Sequence, residues 1–171
     1  PPVFSLSPLN TPQKRFNVNC HPWALLLASA TIVSGCTSIK YGDKETEAEL
    51  KKFQPVPDKV SLYVCREPAL LVAAGVKTEI FVDDEPIGTL KPNMFAHAVV
   101  SPGKRYIFLR KYGIGTGNSG VLSVDSKPGE VTFVWAGMTA GGFGVLTVDF
   151  FDNTNAAMRC VKGATYSVKP D

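Results

Sequence analysis

The stretch VKTEIFVDDEPIGTLKPNMFAHAVVSPGKRYIFLRK, residues 76–111, decides the fold class of this chain. Its first run places Val76, Ile80 and Val82 on one face of an extended backbone and polar residues on the other, a period typical of a half-buried strand. The segment DDEPIGTL then supplies turn residues and a short strand, and SPGK supplies a tight turn. Two β-branched and aromatic runs, MFAHAVV and RYIFLRK, predict further strands. The stretch therefore predicts consecutive hairpins.

The same pattern of short strands continues on both sides of this stretch. Strands are predicted in VSLYVC before it and in VLSVDS, VTFVWAG and GVLTVDFF after it. No helical pattern separates these runs, which disfavours parallel βαβ units. Asp152 or Asn153 is placed to cap a short helix that carries Ala157 and Val161 on one face. We predict an all-β fold: one antiparallel sandwich with Greek-key-like connections over residues 60–169, and a short helix near its end.

An apolar run, ALLLASATIV, ends at small residues and a cysteine well before the predicted sandwich. The run is shorter than the roughly 20 residues of a membrane-spanning helix, and Lys14 and Arg15 precede it without any acid. Residues 33–36, VSGC, resemble the lipobox of bacterial lipoproteins. The resemblance implies that residues 1–35 are a lipoprotein signal peptide region and that Cys36 carries the lipid. The alternative is a buried strand or helix that ends at a buried cysteine.

The lipobox resemblance also implies a location, the bacterial cell envelope, with the chain held at a membrane by its N-terminal lipid. Because Thr37 rather than an aspartate follows Cys36, the sorting rule of enteric-type lipoproteins implies the outer membrane, facing the periplasm. The charge is nearly balanced, with 18 Lys and Arg against 15 Asp and Glu. A chain with so small a net charge is not expected to have the basic surface of a nucleic-acid-binding protein.

Residues 36–59 are predicted to form the lipidated N-terminus and a flexible tether. The segment is mostly charged and polar, and Pro55 and Pro57 favour extended backbone. The alternative is a helix docked on the sandwich, because Leu50 and Phe53 have the i, i+3 spacing of one helix face.

Two cysteines, Cys65 and Cys160, fall within the predicted sandwich. The implied exported location makes them candidates for a disulfide, since that compartment is oxidising. Two separate buried thiols are the alternative.

A second resemblance covers EIFVDDEPIGTLKPNMFAHAVVSPGKRYIFLRK, residues 79–111. The segment is similar to the PEGA-type pattern of a strand ending in Val-Asp, a turn, an IGTL strand, and a Pro-Gly-Lys turn before an aromatic strand. Residues 60–169 as a whole resemble a domain of unknown function in small bacterial lipoproteins. This resemblance implies a transthyretin-like or carboxypeptidase-regulatory-like sandwich. The matching positions are turn-forming and core residues: Val82, Asp83, Gly88, Pro102 and Gly103.

Residues with catalytic potential are few after the leader. His97 is the only histidine there, and we expect its ring to lie at the surface of a strand. A serine hydrolase would combine it with Ser101 or Ser123 and with Asp125, but no Gly-x-Ser-x-Gly motif marks a nucleophile. The acids at 83–85 are typical of a solvated turn, and the loop GIGTGNSG lacks the Lys and helix of a phosphate loop. We predict no catalytic site, no metal site and no cofactor.

The candidates for contact with a partner are Met138 and Phe143 in the glycine-rich loop AGMTAGGFG, together with Tyr112 and Trp135. Apolar side chains on such a backbone suit contact with a protein or a membrane. The alternative is that the two loop residues fold into the core.

These residues predict a non-catalytic structural or interaction module, whose partner is another envelope protein or a cell-wall component. The alternative function is the binding of an envelope glycan or peptide. Sugars stack on aromatic rings, so that alternative would be favoured by one concave patch of four rings: Tyr106, Phe108, Tyr112 and Trp135.

Overall fold

Two β-sheets packed face to face dominate the chain in a computed structural model, which describes residues 39–69, 74–112, 117–139 and 145–169. The predicted leader and Cys36 lie outside the described residues. In chain order, the described elements are β1 (Lys40–Tyr41), α1 (Lys44–Leu50), β2 (Val60–Arg66), β3 (Lys77–Val82), β4 (Glu85–Leu90), β5 (Met94–Val100), β6 (Gly103–Tyr112), β7 (Gly117–Asn118), β8 (Leu122–Ser126), β9 (Val131–Thr139), β10 (Val145–Phe150), α2 (Thr154–Gly163) and β11 (Thr165–Val168). The predicted all-β sandwich with a short C-terminal helix is confirmed.

The strands form two sheets that differ in topology. Sheet A has the order β1–β11–β5–β2–β9–β10, and sheet B has the order β4–β3–β6–β7, with β8 also paired to β6. Among the described strands, β11 with β5 and β2 with β9 are parallel, and the other pairings are antiparallel. Parallel neighbours in a sheet need a long connection between them. Here the chain between β2 and β9 forms the strands of sheet B. The predicted purely antiparallel pairing is therefore corrected to a mixed sheet A.

Side chains of the stretch at 76–111 alternate between buried and exposed positions along the strands, as the sequence predicts. Strand β5 has the bounds of the run MFAHAVV, and along β6 Ile107 and Leu109 are fully buried while Tyr106 is half exposed. Between β3 and β4, Asp83 and Asp84 occupy the left-handed region, with φ of 49° and 68°. Aspartate is among the few non-glycine residues that enter this region readily, so the turn suits its sequence.

The space between the two sheets is filled by apolar side chains. Both sheets contribute, since inward-facing residues of each strand alternate with outward-facing ones. The members without exposed surface are Val64, Ile80, Leu90, Ala96, Ile107, Leu109 and Val134, and Leu62 and Ala136 are 1% exposed. This layer is the main core of the sandwich.

A second apolar layer lies on the outer face of sheet A. Its rings are those of Phe53, Tyr63, Phe95, Phe133 and Tyr166, which we call the ring cluster. Phe53 meets Tyr63 edge-on at 5.4 Å between centroids, and Tyr63 stacks on Phe133 at 5.4 Å. A sheet face with this much aromatic surface needs a cover, which α1 and α2 provide.

The segment before β2 is packed, which corrects the predicted flexible tether. Strand β1 pairs with β11, and α1 begins at the N-cap Asp43, whose side chain accepts from the Thr46 N–H. The Tyr63 hydroxyl donates to the Leu50 carbonyl at 2.8 Å. Leu50 and Phe53 both pack into the ring cluster, which is the docked helix of the alternative interpretation. The charged composition misled because two large apolar residues and hydrogen bonds to the sheet, among them that of the Tyr166 N–H to Glu47, attach the segment.

Helix α2 closes the other side of the ring cluster. Asn153 caps it by accepting from the Ala156 N–H at 2.9 Å, and Ala157 and Val161 are its buried residues, as predicted. Cys160 on this helix forms a disulfide with Cys65 of β2, so the pairing that the sequence left open is present. No described helix is both long and apolar enough to cross a membrane.

Candidate functional site

Three of the predicted partner-contact residues, Tyr112, Trp135 and Met138, lie at one end of the sandwich but on different surfaces. Trp135 pairs with Cys65 near the end of β2, and Tyr112 pairs with Lys77 at the start of β3. Met138 faces the core between the sheets, so its side chain follows the alternative of folding inward. Phe143 lies outside the described residues.

The indole of Trp135 is held flat against its own strand. A Cβ atom on Gly137 would lie 2.0 Å from the Trp135 ring, so the absence of a side chain there creates the space for the indole. The Trp135 Nε1 donates to Glu67 Oε2 at 3.1 Å. With Pro68 and Met138, these groups line a shallow cavity of about 100 Å³. The cavity is small and its rings are fixed, so it offers little room for a ligand.

Arg66 is a buried cation at the rim of that cavity, and sequence reasoning missed it. It is 3% exposed, and its Nη1 donates to the Val76 carbonyl at 2.8 Å and to Thr78 Oγ1 at 3.0 Å. Burial lowers the pKa of Arg66 to about 10. Because β2 belongs to sheet A and Thr78 to sheet B, the guanidinium joins the sheets. Arg66 lies two residues after Val64 and four after Leu62, so strand alternation places it on the same inward face, and this was the available signal.

His97 lies on a different sheet from two of the residues that a serine hydrolase would combine with it. Its ring lies against Tyr63 at 4.6 Å between centroids, and its Nε2 is buried without a hydrogen-bond partner. The expected surface position is met only in part, because the residue is half-buried on β5. Burial lowers the pKa of His97 to about 4. Ser123 and Asp125 lie on β8 in sheet B, whereas His97 lies on β5 in sheet A. The Ser101 hydroxyl accepts a long hydrogen bond from Lys59 Nζ, at 3.5 Å.

The acids of the β3–β4 turn are engaged with cations and backbone. Asp83 accepts from Arg105 Nη1 at 2.8 Å and from the Tyr106 N–H at 2.9 Å. These contacts hold the pKa of Asp83 below its ordinary value against the opposing effect of desolvation. Glu85 pairs with Lys169 at 3.3 Å. Within the described ranges, no group of His, Cys, Asp and Glu is arranged to hold a metal ion.

The four rings that would favour sugar binding do not form one patch. Tyr106, Phe108 and Tyr112 lie on β6 in sheet B, whereas Trp135 lies on β9 in sheet A. Phe108 stacks on Phe81 at 4.8 Å, and the Tyr112 hydroxyl donates to a neighbouring carboxylate at 2.6 Å. Two of the three rings on β6 thus have partners within the chain.

The outer strand of sheet A carries a different kind of surface. Among the described strands, β10 pairs only with β9, and it ends sheet A. Next to its C-terminal end lies a cavity of about 210 Å³, which we call the edge groove. Its lining includes three rings and the start of α2, namely Phe133, Phe150, Phe151, Asn153, Thr154 and Ala157. This groove and the adjoining backbone edge form the candidate binding surface, and sequence reasoning missed it because strand order is not visible in the run pattern.

Comparison of the chain with protein-family models, with curated proteins and with solved structures finds no match.

Proposed function

We propose that this chain is a lipid-anchored protein of the bacterial cell envelope whose sandwich acts as a non-catalytic interaction module. The observation that carries the proposal is the disulfide between Cys65 and Cys160. Disulfides persist in oxidising compartments and are rare where thiols are kept reduced. The bond therefore supports export, and the lipobox-like VSGC at residues 33–36 supports anchoring at Cys36.

The short distance between the proposed lipid and the fold adds to this proposal. Only Thr37 and Ser38 separate Cys36 from Ile39, and Ile39 packs against the main core. Three residues of extended chain reach about 10 Å. A lipid on Cys36 would therefore hold the sandwich close to the membrane surface, where it is placed to meet other envelope components.

Interaction is favoured over catalysis by where the polar groups lie. His97 is on a different sheet from Ser123 and Asp125, and two of the turn acids, Asp83 and Glu85, have partners. The three most exposed large apolar residues, Tyr41, Val121 and Val145, lie instead on the outer strands of sheet A and in a loop. The glycan-binding alternative lacks the single concave patch of rings that would have supported it.

Metabolic labelling with a fatty-acid analogue in a bacterial host tests the anchor. We expect the full chain to take up label, Cys36→Ser to lose it, and Cys20→Ser to keep it because Cys20 belongs to the predicted leader. Label retained by Cys36→Ser would contradict the proposed anchor.

A further inference from the structure

Strand β10 has a backbone edge that faces away from sheet A. The Phe150 N–H is directed at its neighbour's carboxylate, Asp149 Oδ1, at 2.7 Å, rather than at β9. Backbone groups along a strand point alternately to its two sides, so the N–H groups of Leu146 and Val148 point the same way as that of Phe150. An open edge of this kind is a template for an added strand.

The side chains along this edge do little to prevent pairing. Val145 is 62% exposed and Phe150 is 48% exposed, one at each end of the strand. Natural edges are commonly blocked by charged side chains, especially lysine, by proline or by a bulge. Strand β10 contains no lysine or proline and pairs with β9 in unbroken register, and Asp149 is its single charged residue. Beside Phe150, the edge groove has room for an apolar side chain of an incoming strand.

The charges around the edge indicate the nature of that strand. Asp149 lies on β10, Glu130 lines the edge groove, and Asp152 stands between Phe151 and the cap of α2. A second copy of this chain would bring its own acids to the same edge, whereas a basic segment would complement them.

We infer that the edge of β10 binds an extended segment of a partner protein, rich in apolar and basic residues, which pairs as an added strand and places one apolar side chain in the edge groove. Main-chain hydrogen bonds supply affinity in this mode of recognition, and side-chain pockets supply selectivity. The inference rests on the proposed interaction function and names the surface and the partner chemistry for it.

Labelled synthetic peptides test this surface directly, with the full chain as the receptor and fluorescence anisotropy as the readout. The probe is Lys-Phe-Lys-Val-Lys-Val. One control peptide has glutamate in place of each lysine, and a second carries N-methyl groups on alternate residues, which block strand pairing. We expect binding of the lysine probe alone, weakened by salt as exposed charge pairs are.

Two substitutions at one position separate the backbone from the side chain. Proline is tolerated on an edge strand where its missing N–H would have faced outward. Val148→Pro should therefore fold and bind the lysine probe roughly tenfold more weakly, in line with one or two lost hydrogen bonds. Val148→Ala loses more side chain but keeps the N–H and should bind as the unmodified chain does. Asp149→Asn, which keeps the acceptor for Phe150, should reduce the preference for lysine over glutamate.

Three results would overturn the inference. They are no binding of the lysine probe, equal binding by folded Val148→Pro and Val148→Ala, or sedimentation showing that the chain dimerises through this edge and that Val148→Pro is monomeric. Each leaves the proposed anchor intact, because fatty-acid labelling of Cys36 is measured separately. If instead the unmodified full chain took up no fatty-acid label but still bound the lysine probe, the proposed anchor would be contradicted and the inference about the β10 edge would stand.

Discussion

Arg66 and His97 are polar residues on strands of sheet A, and burial lowers the pKa of both. The consequences differ because their ordinary pKa values differ. Arg66, with a pKa of about 10, still carries its charge at neutral pH. It donates hydrogen bonds to the Val76 carbonyl and to Thr78 of sheet B. His97, at about 4, is neutral there and contributes a flat ring to the contact with Tyr63. At neutral pH Arg66 is thus a charged hydrogen-bond donor between the sheets, whereas His97 is a neutral ring in an aromatic contact.

We expect the free energy of unfolding to fall between about pH 6.5 and pH 4 because of His97. Its folded pKa of about 4 lies below its ordinary value of 6.5, so the unfolded state binds the proton first. The contribution is fully present above pH 6.5 and is lost as pH falls through the folded pKa. The shift corresponds to about 3 kcal/mol as an upper figure. Urea unfolding at several pH values measures it.

His97→Gln is the matched comparison, since glutamine does not titrate. Carboxylates with lowered pKa values, such as Asp83, also weaken the fold in acid, and they do so in both proteins. The difference between the two pH profiles isolates the histidine. Parallel profiles down to pH 4 would show that the ring is solvated and that its burial is wrong.

At the scale of residues, the sequence predicted which side chains point inward but not which polar ones join them. Alternation placed Ile80, Val82 and their neighbours in the core because period two follows from strand geometry alone. Arg66 fits the same alternation, yet its charge made an inward position unexpected. The energy of its buried hydrogen bonds depends on Thr78 and Val76, which only the fold brings near.

At the scale of elements, the segment that contains α1 shows how composition misleads. Its charged residues lie on the surface, while Phe53 and Leu50 enter the ring cluster. Phe53 also adopts a φ of 54°, which a non-glycine residue rarely does. The ring contacts with Tyr63 and Phe133 hold this conformation.

Phe53→Ala should therefore detach this segment from the sheet. Removing a buried phenylalanine typically costs about 3 to 5 kcal/mol, and the lower part of that range suits a site at the rim of a cluster. Hydrogen exchange should rise in residues 40–53 well before it rises in β2. Lys52→Ala, next to Phe53 on the exposed side, is the control and should leave exchange unchanged. Equal exchange in both variants would contradict the docking of α1.

The disulfide between Cys65 and Cys160 fixes another element, α2, on sheet A. It joins residues separated by 95 positions, so chain-entropy reasoning gives about 4 to 5 kcal/mol as an upper figure for its stabilisation. The double substitution Cys65→Ala and Cys160→Ala should lower the unfolding midpoint accordingly. Adding reductant to the unmodified chain should cause a similar loss and should leave the double variant unaffected. A reductant effect on the double variant would show that another thiol is responsible.

At the scale of the whole molecule, the sandwich was predictable and its strand order was not. Short runs, turn residues and missing helical patterns together indicate two packed antiparallel-type sheets. The parallel pairing of β2 with β9 arises from contacts between residues some 70 positions apart, for example Ser61 with Val131. Local patterns carry no record of such pairs, so the outermost place of β10 among the described strands of sheet A and the edge groove became visible only in the fold.

The fold and the proposed anchor should be separable in the whole molecule. Both apolar layers are built from residues between Ile39 and Tyr166, and the proposed lipid site at Cys36 precedes them in the sequence. Cys36→Ser should thus move the chain from the membrane fraction to the soluble fraction of the envelope. The melting temperature of its purified sandwich should match that of the anchored protein in detergent within about 2 °C. This margin corresponds to less than 1 kcal/mol in the free energy of unfolding. Fractionation and thermal unfolding measure the two properties independently. A Cys36→Ser chain that stays with the membrane would indicate that the protein surface itself binds there, and one that melts much earlier would indicate that the anchor contributes to the fold.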